Sequence, residues 1–164
     1  MNHQALIERS HKQARDKGFW EKPLTFDMAM ALIISEIAEA LEAYRKRRVN
    51  PDWNDTQAVK DSFETEIADA IIRIYDWCGS KGYDLEPDSS VLEWGDEGKN
   101  FIMLFTSCTH CAVNPAKVSQ FVSLECLLED ILSYCKFKNI DIQKYIEWKL
   151  DYNLNREYMH GKQF

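Results

Sequence analysis

The chain has 164 residues, a length that suits one domain with a substantial core. Hydrophobic residues make up 45% and charged residues 29%, an ordinary globular balance, and no apolar run approaches the length that spans a bilayer. A formal net charge of −7 argues against a nucleic-acid polymer as the main partner, though metal ions would still admit an anionic small molecule.

Residues 1–5 open directly into polar amphipathic sequence with no signal-peptide core, so a cytoplasmic location is expected. The hydrophobic period is helical nearly throughout, and alternating strands are absent. A first helix is expected near 3–17, ended by Gly18 and followed by a link through Pro23. Thr25 or Asp27 caps a second helix running to about Arg47, which Asn50, Pro51 and Asp52 break. A third helix spans about 57–79 and stops at Gly79 and Gly82. After a turn-rich segment with Pro87, Asp88, Ser89 and Gly95, helices are expected near 98–112, 116–137 and 140–157, punctuated by Asn114, Pro115 and Asn139. The fold class is therefore all-α, a single-domain bundle of about five to six helices.

Arg45, Lys46, Arg47 and Arg48 form the only basic run. They read as a solvated helix C-terminus complementing the helix dipole, with phosphate or RNA contact as the other reading. Five cysteines give no even disulfide framework, which fits a reducing compartment. Cys108 and Cys111 form a CxxC without the second ligand pair of a zinc site or the βαβ context of a redox site, so they read as buried thiols.

Two acidic motifs carry the chemistry. Glu36-Ile-Ala-Glu39 and Glu66-Ile-Ala-Asp69 each set two carboxylates nearly one helical turn apart, on one face of a helix. On a helical wheel the second helix presents Met30, Ile33, Ile34, Ile37, Leu41 and Tyr44 as its core face, with Glu36 and Glu39 on the flank beside Leu32, Ala40 and Ala43. On the third helix, Glu66, Asp69, Arg73 and Asp76 make one polar stripe in an otherwise apolar circumference. Glutamates on helices usually belong to solvated, salt-bridged faces. Acids set among apolar arcs are different, because unpaired burial costs several kcal/mol or forces protonation. Two such helices facing each other would form a four-carboxylate site for a divalent cation. An oxygen-only donor set suits Mg²⁺, with Mn²⁺ as a substitute. Bundle di-iron sites use a Glu-x-x-His pair on each of two helices, and Ser107, not a glutamate, stands three residues before His110, so di-iron chemistry is not expected.

These residues resemble a known family. Ser35-Glu36-x2-Glu39, continuing to Arg45, followed by Glu66-x2-Asp69-x3-Arg73, resembles the ExxE…ExxD signature of the MazG-like all-α nucleoside triphosphate pyrophosphohydrolases. Lys149-x3-Asn153-x2-Arg156 and the following His160-Gly-Lys162 are similar to endings in that group, and Gly18-Phe19-Trp20 to the aromatic entry segment of some members. The resemblance covers residues 18–82 and 140–164 and is poor between them.

The resemblance implies Mg²⁺-dependent hydrolysis of a nucleoside triphosphate to the monophosphate and pyrophosphate, as nucleotide-pool housekeeping. Glu36, Glu39, Glu66 and Asp69 are the implied metal ligands, with Glu36 a candidate general base toward water and Glu39 the other catalytic candidate. Lys149, Asn153 and Arg156 recur at i, i+4 and i+7, one face of a helix, and make a clamp for pyrophosphate. Lys162 and His160 would close over the phosphates. Arg73 either orients a ligand carboxylate or touches substrate. Trp20 and Phe19 could stack on a base or belong to the core, as could Trp53 and Trp77. A homo-oligomer, a dimer or dimer of dimers, is implied as well.

Shifting the chain by 57 residues sets Tyr75-Asp-Trp77-Cys78 beside Leu132-Ser-Tyr134-Cys135, and Gly82 beside Asn139, while Glu66 and Asp69 fall beside Ser123 and Cys126. Residues 98–137 thus read as a degenerate repeat of the 18–82 hairpin that has lost its acids, as in dimeric dUTPases of the same superfamily. The competing reading is a non-catalytic protein-binding bundle with a structural cation site, supported by an exposed-looking Trp94.

Overall fold

The computed structural model describes residues 1–88, 92–113 and 120–158. Seven helices occupy them: α1 (His3–Asp16), α2 (Phe26–Arg45), α3 (Thr56–Lys60), α4 (Phe63–Lys81), α5 (Glu97–Val113), α6 (Gln120–Phe137) and α7 (Ile142–Leu154). The protein is all-α, and among the described residues no helix is long and apolar enough to cross a membrane. Asn114, Pro115, His160 and Lys162 lie outside the described residues.

The helix expected at 57–79 is two helices. Ser62 is extended (φ −81°, ψ 152°), and its hydroxyl accepts the Thr65 N–H at 3.2 Å. That N-cap restarts the helix after the short α3. The Thr65 hydroxyl donates to the Val59 carbonyl at 2.6 Å, tying the two together. Nor does Gly79 end α4, which continues to Lys81 and stops at Gly82 in the left-handed region (φ 67°). Gly79 serves packing instead. A Cβ there would lie 2.4 Å from His11 Cβ and 3.2 Å from the Ile7 carbonyl oxygen. Its bare backbone is what lets α1 lie against α4.

α4 is the central helix, packed by α1, α2, α6 and α7. Between Phe63 and Cys78 the only residues of α4 that are not buried are Glu66, Asp69, Ile72, Arg73 and Asp76. The polar stripe read from the sequence is therefore the one open side of an enclosed helix. α2 packs on α4 through Ala29, Met30, Ile33, Ile37, Ala40 and Ala43, all buried, whereas Ile34, Leu41 and Tyr44 are only partly covered. The core face is rotated toward the alanines, because small side chains let two backbones approach and large ones fill the edges. The rotation carries Glu36 into the seam, where it is 5% exposed, and leaves Glu39 exposed.

The α5–α6 pair seats against α2 and α4 through an aromatic knot. Tyr44, Phe63, Phe101 and Tyr134 come one from each of α2, α4, α5 and α6, with ring centroids 5.7–6.4 Å apart in edge-on and tilted pairs. Each buried ring contributes roughly 1.5–3 kcal/mol through removal from water. Trp94 is half-buried against Tyr134 (centroids 5.0 Å), not free on the surface.

The 57-residue offset also relates α4 to α6: Phe63–Lys81 shifted gives 120–138, against Gln120–Phe137 observed. Both end alike. Tyr83 N–H donates to the Cys78 carbonyl after left-handed Gly82, and Ile140 N–H donates to the Cys135 carbonyl after left-handed Asn139, each at 2.9 Å. α2 and α5 do not obey the offset.

Gly79→Ala is expected to destabilise the protein by about 1–3 kcal/mol, since the overpacking at His11 outweighs the gain in helix propensity. Thermal unfolding followed by circular dichroism should show Tm falling at roughly 2–4 °C per kcal/mol in a chain of this size.

Candidate functional site

Five segments wall one cleft of about 450 Å³ along the open stripe of α4, among them the end of α3 with Lys60 and Asp61. α2 contributes Glu36 and Glu39, α4 contributes Glu66, Asp69, Arg73 and Asp76, and α7 with its following turn contributes Lys149, Asn153 and Arg156. α1 and the turn after it supply Ser10, Gln13, Lys17, Gly18 and Trp20. Among the described residues, Glu36, Glu39, Glu66, Asp69, Arg73, Lys149, Asn153, Arg156, Phe19 and Trp20 meet in this one cleft, whereas Trp53 and Trp77 do not line it.

Carboxylate oxygens of Glu36, Glu39 and Glu66 lie within 4.8 Å of one another. Around an octahedral Mg²⁺ with bonds of about 2.1 Å, neighbouring oxygens sit about 3 Å apart and opposed ones about 4.2 Å. The three acids are thus within a small side-chain adjustment of ligation, and their donors are the hard oxygens that Mg²⁺ and Mn²⁺ take. The residues fit such a cation.

Asp69, expected as the fourth ligand, is engaged otherwise. Its carboxylate meets Lys149 Nζ at 2.5 Å, with both side chains largely covered (16% and 7% exposed). Arg73 does not turn to Asp69, one helical turn away. It crosses to α2 and donates from Nε to Glu36 Oε1 at 2.5 Å, which orients that carboxylate. Two resident cations therefore offset the acids that burial would otherwise penalise.

The electrostatics follow from this crowding. Burial, and then the neighbouring Asp69 charge, push the Glu66 carboxyl up to about 8, against the pull of Lys149. Burial also raises Asp69, opposed by Lys149, while Asp69 raises Lys149 in spite of its burial. Asp76 is raised by burial too, against two donors on its Oδ1: His11 Nδ1–H and Trp20 Nε1–H, each at 2.8 Å.

Trp20 is held by that bond and by an edge-on contact with His11 (centroids 5.2 Å), half-buried where the cleft reaches α1. Trp77 is core, and Trp53 packs on Tyr145 under Lys144. Trp20 follows left-handed Gly18 (φ 86°), whose missing Cβ leaves room for the Tyr158 ring. Ser10 Oγ is buried in the cleft wall with no hydrogen-bond partner among the described residues. Asn153 and Arg156 touch each other (3.4 Å), and Arg156 is half-buried at the cleft.

Sequence reasoning missed three contributors. His11 carried no signal beyond the aromatic-rich segment opposite it. Glu8 stands three residues before it, the di-iron spacing, but Glu8 accepts from Gln4 on the surface while His11 turns to Asp76. Gln13 donates to the Leu150 carbonyl (2.7 Å), and Lys17 donates to those of Leu154 (2.8 Å) and Arg156. They fasten the end of α7 to α1 and so set where Lys149, Asn153 and Arg156 stand. No family model, no curated protein and no solved structure matches this chain.

A pH dependence follows for the protein without divalent cations. The Glu66 carboxyl is raised from 4.5 to about 8 in the folded state, so the folded chain holds a proton there that the unfolded chain has released. Its contribution to stability is complete below about 4.5 and is lost as pH rises toward about 8. Urea unfolding in EDTA across that window should show a decline with pH in the wild type that is shallower in Glu66→Gln.

Proposed function

We propose that this protein hydrolyses a nucleoside triphosphate to its monophosphate and pyrophosphate, with Mg²⁺ (or Mn²⁺) held by Glu36, Glu39 and Glu66. One observation carries the reading. Three carboxylates converge within 4.8 Å on a cleft that also gathers Lys149, Asn153 and Arg156, in a chain whose net charge is −7. Lys149 is already matched to Asp69, but a purely structural cation site has no use for the further donors Asn153 and Arg156 at the same cleft. A polyphosphate substrate needs both the acids and those donors. The resemblance to MazG-like pyrophosphohydrolases supplies the reaction.

When bound, the divalent cation would neutralise phosphoryl oxygens and lower the pKa of a water molecule. The chain's own residues do the rest. Arg156 and Asn153 donate to the phosphates, and Lys149 adds a buried positive charge beside them. Glu36, oriented by Arg73, is a fixed ligand. Glu39, exposed at the mouth, can hold the cation through one carboxylate oxygen and accept a proton from the attacking water on the other. Trp20, locked by Asp76 and His11, offers a flat face to a nucleobase, and Ser10 Oγ an unused hydrogen-bonding group nearby. Cleft and cations come from one chain, and we propose a homodimer for which the exposed Ile102, Val113 and Phe137 supply apolar surface.

Pyrophosphate release from single nucleoside triphosphates with Mg²⁺ tests the reading. Glu39→Gln should lower kcat/KM by at least about 100-fold, and wild-type rates in that variant remove Glu39 from the mechanism. Arg156→Ala should cost about 10- to 100-fold, the worth of a hydrogen bond to a charged group, mostly in KM. An absence of release across natural and modified nucleotides favours the binding module instead. Light scattering at micromolar concentration should give twice the 19.2 kDa chain mass, and a strict monomer would discard the dimer.

A further inference from the structure

We infer that the centre takes a single divalent cation, and that the Lys149 ammonium, bound to Asp69, permanently occupies the place of a second. The inference rests on the three-acid metal centre proposed above and concerns what stands beside it.

Lys149 is an unusual residue to find where it is. It projects from the middle of α7 with its side chain 7% exposed, and its nitrogen lies 2.5 Å from Asp69. A lysine brought to a phosphate only for its charge would be expected on the rim, on a flexible stem in water. This one is built in: Gln13 and Lys17 of the α1 end hold the carbonyls of Leu150 and Leu154 that follow it on α7. Withdrawing it would strand the Asp69 carboxylate among buried neighbours, which is far more costly than breaking a surface pair. Asp69 is correspondingly absent from the three acids whose oxygens converge.

Charge balance points the same way. Around the candidate centre, Glu36, Glu39, Glu66 and Asp69 bring four negative charges when ionised, and the cations paired to them, Arg73 and Lys149, return two positive ones, while Asp76 is bonded apart to His11 and Trp20. The remainder is the charge of one divalent ion. A second divalent ion at Asp69 would sit directly against a buried ammonium. An ammonium also has three donors, so it can keep Asp69 on one and offer another to a phosphoryl oxygen, bridging carboxylate and phosphate as a metal ion would.

The test is the stoichiometry of Mn²⁺ on the full-length protein without nucleotide, read from the loss of the free Mn²⁺ signal in electron paramagnetic resonance. The wild type should bind one ion per chain. Lys149→Met should bind two, the vacated Asp69 now serving the second. Asp69→Asn should still bind one, because Asp69 is not a ligand of the first, though more weakly with Lys149 left unpaired beside it. Two ions on the wild type, one ion on folded Lys149→Met, or loss of an ion in Asp69→Asn would each overturn the inference while leaving a metal centre in place. No Mn²⁺ on the wild type would overturn the centre itself. Should Lys149→Met fail to fold, judged by circular dichroism, the wild type and Asp69→Asn still decide the matter: one and one sustains it, two and one refutes it.

Discussion

Everything in this protein accommodates a row of carboxyl groups on its most enclosed helix. α4 is packed on nearly every side, yet carries Glu66, Asp69 and Asp76 along the one strip that is not, with Glu36 of α2 pressed against the same strip. Isolated charges in such surroundings are costly, so each has been given something to hold. Arg73 crosses to Glu36, Lys149 reaches in from α7 to Asp69, and Asp76 receives two N–H donors. Among the described residues the Glu66 side chain has no hydrogen bond or ion pair and exposed Glu39 accepts only from Ser35 at 3.3 Å, and with Glu36 they form the cluster suited to a cation. The arrangement of α7 follows from this need: without it Asp69 has no counter-charge. Gln13 and Lys17 exist in turn to hold α7 in place.

How much of this could be read in advance depended on range. The stripe on α4 was legible because charged residues at helical spacing against an apolar background are a local pattern. The face of α2 was misjudged because hydrophobicity weights Leu41 and Tyr44 over Ala40 and Ala43, although it is the alanines that permit close approach. The break at Ser62 hid inside a continuous apolar period, its cap signal being a single hydroxyl. Gly79 looked like punctuation because a sequence does not show which glycine another helix will touch. The bond between Asp69 and Lys149 spans eighty residues, and neither partner's neighbourhood announces the other. The resemblance to MazG-like proteins brought both into one site, but as ligand and clamp and not as a pair.

α6 is the counterpart of α4 under the 57-residue offset, without the acids of the α4 stripe. α6 repeats the length and the left-handed termination of α4. It carries Ser123, Cys126, Asp130 and Ser133 where α4 has Glu66, Asp69, Arg73 and Asp76. Its one acid at these positions, Asp130, is met by the Ser107 hydroxyl at 2.5 Å.

Position 76 and its counterpart 133 each receive an indole N–H from the segment leading into the preceding long helix, Trp20 in one case and Trp94 in the other. A neutral serine performs that anchoring at 3.0 Å much as the aspartate does at 2.8 Å. Tethering tryptophan therefore never required an anion. The charge at Asp76 is not needed to hold Trp20, and it is carried against a desolvation penalty that Ser133 does not meet.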